Sequence, residues 1–198
     1  MQMTWDERYG ADDYAYGTEP NGFLASVAER IPKGKVLCLA EGEGRNAVYL
    51  ASLGYEVTAV DASAVGMAKA NKLAKERGVQ IKTIVADLAE FDIEPESWDG
   101  IVSIFCHVPP AIREPLHRKV VAGLKHGGVL VLEAYRPKQI EYGTGGPPVP
   151  ELTMTLDSLN RELEGLEFQH AQELDRDVTE GLYHTGAGAV VQVVAVKP

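Results

Sequence analysis

The chain has 198 residues, 45% of them hydrophobic and 24% charged, a composition that suits one soluble globular domain built on a single core. Its 19 basic against 29 acidic residues give a net charge of −10, which argues against a polyanionic partner, because a protein that grips nucleic acid shows it a basic face. No run approaches the about 18 apolar residues of a membrane span. The opening MQMTWDERYG has neither the basic start nor the apolar stretch of a signal peptide, so a cytoplasmic protein with no membrane partner is expected. Cys38 and Cys106 both lie in apolar runs, which predicts buried, reduced thiols, and no metal-ligand spacing is present.

In chain order, an apolar run at residues 35–40 predicts the first strand, and the amphipathic stretch at 45–52 a helix. A second strand is expected at 56–60, then a helix at 64–77 stopped by Gly78, and a strand at 80–85. Residues 98–105 form a largely apolar run, as a strand buried on both faces should. Pro109 and Pro110 suit a first helical turn and predict a helix to about Leu124. Gly127 and Gly128 then turn into a strand at 129–134. This alternation predicts a parallel sheet with helices on both faces. The last third differs. Residues 142–150 (YGTGGPPVP) form a loop, followed by a helix near 156–163 and two strands, 167–177 and 188–196. The link between those two strands is short enough for a hairpin, so the sheet is expected to end in an antiparallel pair.

The chemistry concentrates at residues 36–61, VLCLAEGEGRNAVYLASLGYEVTAVD. A strand enters a turn containing Gly42 and Gly44, a helix follows, and a second strand ends on Asp61, about 20 residues after the first glycine. Chains use this arrangement to hold an adenosine: glycines admit the ligand close to the backbone, and the acid accepts hydrogen bonds from ribose hydroxyls. Gly42 and Gly44 could also make an ordinary turn, and Asp61 could cap the next helix while binding ribose. Arg45 reads equally as a surface ion pair or a contact.

These residues, with ADL at 86–88, LKHGGVLVLEA at 124–134, the N-terminal WDERY…YGTEPN and the terminal hairpin, resemble the class I S-adenosylmethionine-dependent methyltransferases, and within them the small bacterial group related to tellurite-resistance and thiopurine methyltransferases. The resemblance covers nearly the whole chain. It implies a Rossmann-like α/β fold: a seven-stranded, mostly parallel sheet with an antiparallel last strand and helices on both faces. It also implies one methyltransferase domain over 1–198, with an N-terminal arm (1–30) covering the cofactor site and a substrate-side loop (142–150).

The resemblance carries to this chain the cofactor S-adenosyl-L-methionine, with Ala40, Glu41, Gly42, Gly44, Asn46, Asp61, Ala62, Asp87, Leu88 and Phe105 at its site. Asp61 maps to the ribose acid, and Asp87 to the acid at the adenine amino group, with Leu88 against the ring. Cys38 and Ala40 depart from the family pattern, which has an acid and a glycine there; alanine is tolerable if its dihedral is ordinary, and Glu41 is near enough to replace the lost carboxylate. Tyr16 and Cys106 are expected on the substrate side, Tyr9 and Tyr14 in the covering arm, and His107, after the fourth strand, as a general base if the acceptor must lose a proton. His184, at the tip of the hairpin, is a second functional candidate. The run His107-Val108-Pro109-Pro110 is not the Asn/Asp-Pro-Pro-aromatic signature of enzymes that methylate amines of bases and proteins. Expected therefore is methyl transfer to a small-molecule acceptor, with a thiol, selenium or tellurium species favoured, by a monomer without nucleic-acid partner. Two alternatives remain at this stage, a cofactor-binding protein without catalysis and an NAD-dependent Rossmann oxidoreductase.

Overall fold

The computed structural model describes residues 4–181 and 183–198, apart from the side chain of His184. Seven strands make one sheet: β1 (Lys35–Leu39), β2 (Glu56–Asp61), β3 (Lys82–Val85), β4 (Trp98–Ile104), β5 (Leu124–Tyr135), β6 (Glu167–Glu180) and β7 (His184–Val196), in the order β3-β2-β1-β4-β5-β7-β6. The first five run parallel, and β7 is antiparallel to both of its neighbours. The reversal of strand order lies between β1 and β4, the switch point at which such sheets open a ligand crevice at the carboxyl ends of their strands.

Period-two alternation sends successive residues of each inner strand to opposite faces. Leu37, Leu39, Ile101, Leu130 and Leu132 pack with Leu116, Val120, Leu159 and Leu163 on one face. These partners come from or adjoin α5 (Pro110–Gly123) and α7 (Leu156–Glu162). Val36, Cys38, Val102, Val129 and Val131 pack on the other face with Leu24, Ala47, Leu50, Met67 and Ala70. Those come from α2 (Gly22–Val27), α3 (Arg45–Ser52) and α4 (Ala64–Glu76). Leu50 is fully buried, so truncating it to alanine costs about 2–5 kcal/mol.

The terminal hairpin is longer than the sequence predicts. Pairing runs on to Glu180 and His184, because the turn is confined to the few residues between them rather than the longer link expected. The last strand also sits inside the sheet rather than at its edge. Val190, Val191, Val193 and Val194 of β7 are fully buried between β5 and β6. β6, with alternate residues exposed and charged, takes the edge, where charge discourages pairing with another chain. Among the described residues no helix is long and apolar enough to cross a membrane.

Candidate active site

The strand tips open into a cavity of about 510 Å3, within the about 300–1,000 Å3 of small-molecule sites. Ala40 and Glu41 follow β1, Asp61 ends β2 and Ala62 follows it, Asp87 and Leu88 follow β3, and Phe105 and His107 follow β4; all of them line it, together with Asn46 of α3 and Tyr16 of the arm. The sequence-derived residues thus converge, except Gly42, Gly44, Cys106 and, in the arm, Tyr14.

Gly42, Gly44 and Cys106 are not in the wall. Gly42 and Gly44 have φ of 62° and 91°, which favour glycine, and both are packed from outside. A Cβ at Gly42 would stand 2.6 Å from the Tyr9 hydroxyl, and one at Gly44 2.6 Å from the Ala70 Cβ. These glycines therefore admit the arm and α4 rather than facing the cavity. Cys106 turns into the core, 2% exposed, between Phe105 and His107, which both face the cavity; burial pushes its thiol up to about 12.

Ala40 has φ of 48°, so the dihedral assumed ordinary is left-handed, a conformation that costs a non-glycine residue about 1–2 kcal/mol. Phe105 is also left-handed at 52°. Its amide donates to the Glu133 carbonyl at 2.7 Å and its ring stacks on Tyr135 at 4.5 Å, which holds the strained turn in place.

Asp61 is 7% exposed. Its Oδ2 accepts the Gly42 amide and its Oδ1 the Ser63 amide, each at 2.8 Å. Burial raises its carboxyl above the usual range, and the two amides pull the other way. Each oxygen keeps a second lone pair, so the group can still accept two hydroxyl donors. Asp87 is exposed at the cavity, and its Oδ1 accepts the Ala89 amide at 2.9 Å. Two acids on adjacent strand tips, with Leu88 and Phe105 as apolar walls, fit a nucleoside.

His107 offers no base in this arrangement. Its Nδ1 lies 2.9 Å from the Leu152 carbonyl, to which it donates, and its Nε2 accepts the Tyr135 amide at 3.3 Å. Burial pushes it down to about 4, so the ring is neutral and both nitrogens are engaged. The expected general base is therefore a strap between β5 and residue 152. That segment is fixed in turn by Arg113, whose Nη1 donates to the carbonyls of Glu151 and Thr153, both at 3.2 Å, and whose Nη2 pairs with Glu162 at 2.9 Å.

The cover comes from two segments. α1 (Trp5–Tyr9) is fastened by Asp6, whose Oδ1 accepts the Ser63 hydroxyl at 2.5 Å. Beyond it, Lys69 donates to the carbonyls of Ala11 and Asp13 at 2.9 and 2.8 Å. Trp5, Arg8, Tyr9 and Tyr16 close one side, with the Arg8 guanidinium 5.1 Å from the ring of Tyr183 in the hairpin. Tyr14 lies outside the wall, its ring 4.8 Å from the Lys69 ammonium. Gly145, Gly146, Pro147 and Pro148 close the other side, held by Gln139, which donates to Thr144 Oγ1 and the Gly145 carbonyl, both at 3.0 Å.

Sequence reasoning missed a buried polar network behind the wall. Glu133 is fully buried on β5 and accepts from Asn21 at 2.6 Å, Gln192 at 2.7 Å and Arg176 at 2.6 Å. Glu180 accepts from Asn21 at 3.0 Å and pairs with Arg45 at 2.7 Å. Arg45 is thus both a buried ion pair and part of the wall. The alternation Arg176, Val178, Glu180 on one face of β6 was the available signal.

Residues 36–128 match the family of methyltransferase domains. Within the chain, 86 residues are 36% identical to the probable S-adenosyl-L-methionine-dependent methyltransferase TehB of Haemophilus influenzae, covering 43% of this chain and 30% of that protein. This part of the chain is thus similar to S-adenosylmethionine-dependent methyltransferase domains. The uncharacterized methyltransferase YbaJ of Bacillus subtilis is 31% identical over 98 residues, 49% of this chain and 38% of that one. The chain thus spans less than half the length of these curated relatives. The methyltransferase fold extends further than the sequence match. The crystal structure of Haemophilus influenzae TehB superposes with a TM-score of 0.75 at 22% identity, covering 98% of this chain and 66% of that one. A TehB-like methyltransferase from Corynebacterium glutamicum gives 0.63 at 20% identity, covering 98% and 94%.

Proposed function

We propose that the chain transfers a methyl group from S-adenosylmethionine to a small acceptor held beneath the N-terminal arm. The observation that carries this reading is the cavity at the switch point, where Asp61 and Asp87 provide a nucleoside face and Phe105 a wall beside it. When bound, the sulfonium of the cofactor supplies an activated methyl group open to in-line displacement. The residues of this chain bind, align and exclude water, which suffices for such a transfer. Asp61 takes the ribose hydroxyls, Asp87 and Leu88 the adenine, and Tyr9, Tyr16 and residues 145–148 cover the acceptor side.

The engaged nitrogens of His107 support a particular acceptor class within this reading. A hydroxyl or amine must lose a proton during transfer, and His107 has both nitrogens occupied. A thiolate, selenol or reduced tellurium species needs no base, which agrees with the preference that the family resemblance implies. The protein works in this reading as a cytoplasmic monomer without nucleic-acid or membrane partner, consistent with its net charge of −10. Turnover tests the reading: S-adenosylhomocysteine release is measured against a panel of small thiols, reduced selenium and tellurium species, phenols and amines. Release with the chalcogen acceptors supports it. Binding of S-adenosylhomocysteine without turnover on any acceptor would make the chain a cofactor-binding protein instead.

A further inference from the structure

Two arginines line the cavity, Arg8 of α1 and Arg45 at the start of α3. The protein leaves donors free on both. The Arg8 guanidinium is half-buried between the rings of Trp5 and Tyr183, at 5.0 and 5.1 Å. Its Nη1 donates to the Tyr16 hydroxyl at 2.9 Å, and among the described residues it has no ion-pair partner. Arg45 is 8% exposed and pairs with Glu180 at 2.7 Å, a carboxylate it shares with Arg176 at 3.0 Å. Its Nη1 is buried and, among the described residues, has no hydrogen-bond partner. Glu41 also faces Arg45, but burial pushes it up to about 7, which makes it a weak counter-ion near neutrality. A guanidinium has five N–H donors and no acceptor, so what the two arginines lack is an anion.

We propose that Arg8 and Arg45 hold an anionic group on the methyl acceptor, so that the acceptor is a small mercapto-acid rather than a neutral thiol. This inference rests on the methyl-transfer reading and names the acceptor within it. Position supports the assignment. Asp61 ends β2 and Asp87 follows β3, both to one side of β4. Arg45 is tied to Glu180 at the end of β6, and Arg8 to Tyr183 in the turn that follows, to the other side. Both guanidiniums lie by Tyr16, so they serve one place in the cavity. A nucleoside at the two acids leaves that place to the acceptor. The planar fork of arginine matches a carboxylate, and holding it fixes the direction from which the sulfur approaches. The thiol has already lost its proton to water. The thiolate forms the new carbon–sulfur bond as the methyl–sulfonium bond breaks, and that electron pair stays on the sulfur of S-adenosylhomocysteine.

The test measures S-adenosylhomocysteine release with 3-mercaptopropionate and with 3-mercaptopropionamide, its neutral counterpart of similar shape, each rate taken per thiolate present. In the unaltered protein kcat/KM for the acid should exceed that for the amide by about tenfold or more, since a site built to pair a group rejects the analogue that lacks it. That comparison needs no variant. Arg8→Gln, on the arm, should bring the two acceptors within about threefold by raising KM for the acid, with S-adenosylhomocysteine affinity changed less than about twofold. Arg45→Lys keeps a charge for Glu180 but loses the fork, and should act in the same direction. A ratio near one in the unaltered protein would overturn the proposal. So would weaker S-adenosylhomocysteine binding by Arg8→Gln with the preference for the acid retained, which would give the arginines to the carboxylate of the cofactor's tail. Release with neither thiol, or no binding of S-adenosylhomocysteine, would overturn the methyl-transfer reading on thiols itself, and this inference with it.

Discussion

The amide of Gly42 donates to Asp61 Oδ2 at 2.8 Å, so the turn after β1 is tied to the tip of β2 by the same carboxylate that faces the cavity. Asp61 therefore has two functions, one in the fold and one in the proposed site. Asp61→Ala should weaken S-adenosylhomocysteine binding by about 1.5–3 kcal/mol, the scale of hydrogen bonds to a charged group. Asp61→Asn keeps an acceptor for the Gly42 amide and separates the two functions. Unchanged affinity in a folded Asp61→Ala protein would remove the ribose from this position.

His107 joins the Leu152 carbonyl to the Tyr135 amide, and its replacement should register in stability before it registers in chemistry. His107→Ala leaves two backbone groups without their partner, at a cost of about 1–3 kcal/mol each where they stay dry. Turnover on a chalcogen acceptor should fall less than about tenfold, because no proton is removed in the transition state. A loss of about a hundredfold with cofactor affinity intact would point to a hydroxyl or amine acceptor and to His107 as its base.

Acid should release the strap that fixes residues 151–153. Burial alone would raise the Glu162 carboxyl, but hydrogen bonds from His117 and Arg113 override it and bring it down to about 2. A carboxyl depressed in the folded state contributes stability above its unfolded value near 4.3, and loses it as pH falls toward 2. Glu162→Gln should therefore unfold more easily than the parent at neutral pH, and the difference should shrink below about pH 4. Thermal melts across that range check this; a constant difference would remove Glu162 from the acid response.

Both covering segments should tighten when the cavity fills. α1 and residues 145–148 reach the cavity through exposed or half-buried side chains such as Trp5 and Arg8. Hydrogen exchange at residues 4–17 and 143–149 should slow on addition of S-adenosylhomocysteine. Equal exchange at both segments, with and without ligand, would leave them as fixed walls rather than a cover.

Most strands and the strand-tip acids were legible in the sequence because they rest on local patterns: continuous apolar runs, a glycine turn, an acid at the end of a strand. What was not legible depends on long-range contact. Gly42 and Gly44 announce a turn, but only the structure shows that Tyr9 and Ala70 occupy the space their missing side chains leave. Cys106 lies one residue from two wall positions, and a strained backbone at Phe105 decides which side chains face the cavity. The network of Asn21, Glu133, Arg176 and Glu180 joins residues up to 159 positions apart, and the alternation of Arg176 and Glu180 on β6 marks only its last strand and not its partners. The hairpin was recognised and its length was not, so Glu180 was left out of the site it helps to build.

The most direct test of the central claim is calorimetric titration of the purified protein with S-adenosylhomocysteine and, separately, with NAD, since the glycine turn and strand-end acid serve either cofactor in principle. The account predicts saturable binding of S-adenosylhomocysteine, weakened by Asp61→Ala, and no heat from NAD. Binding of NAD, or no binding of S-adenosylhomocysteine by the folded protein, would contradict it.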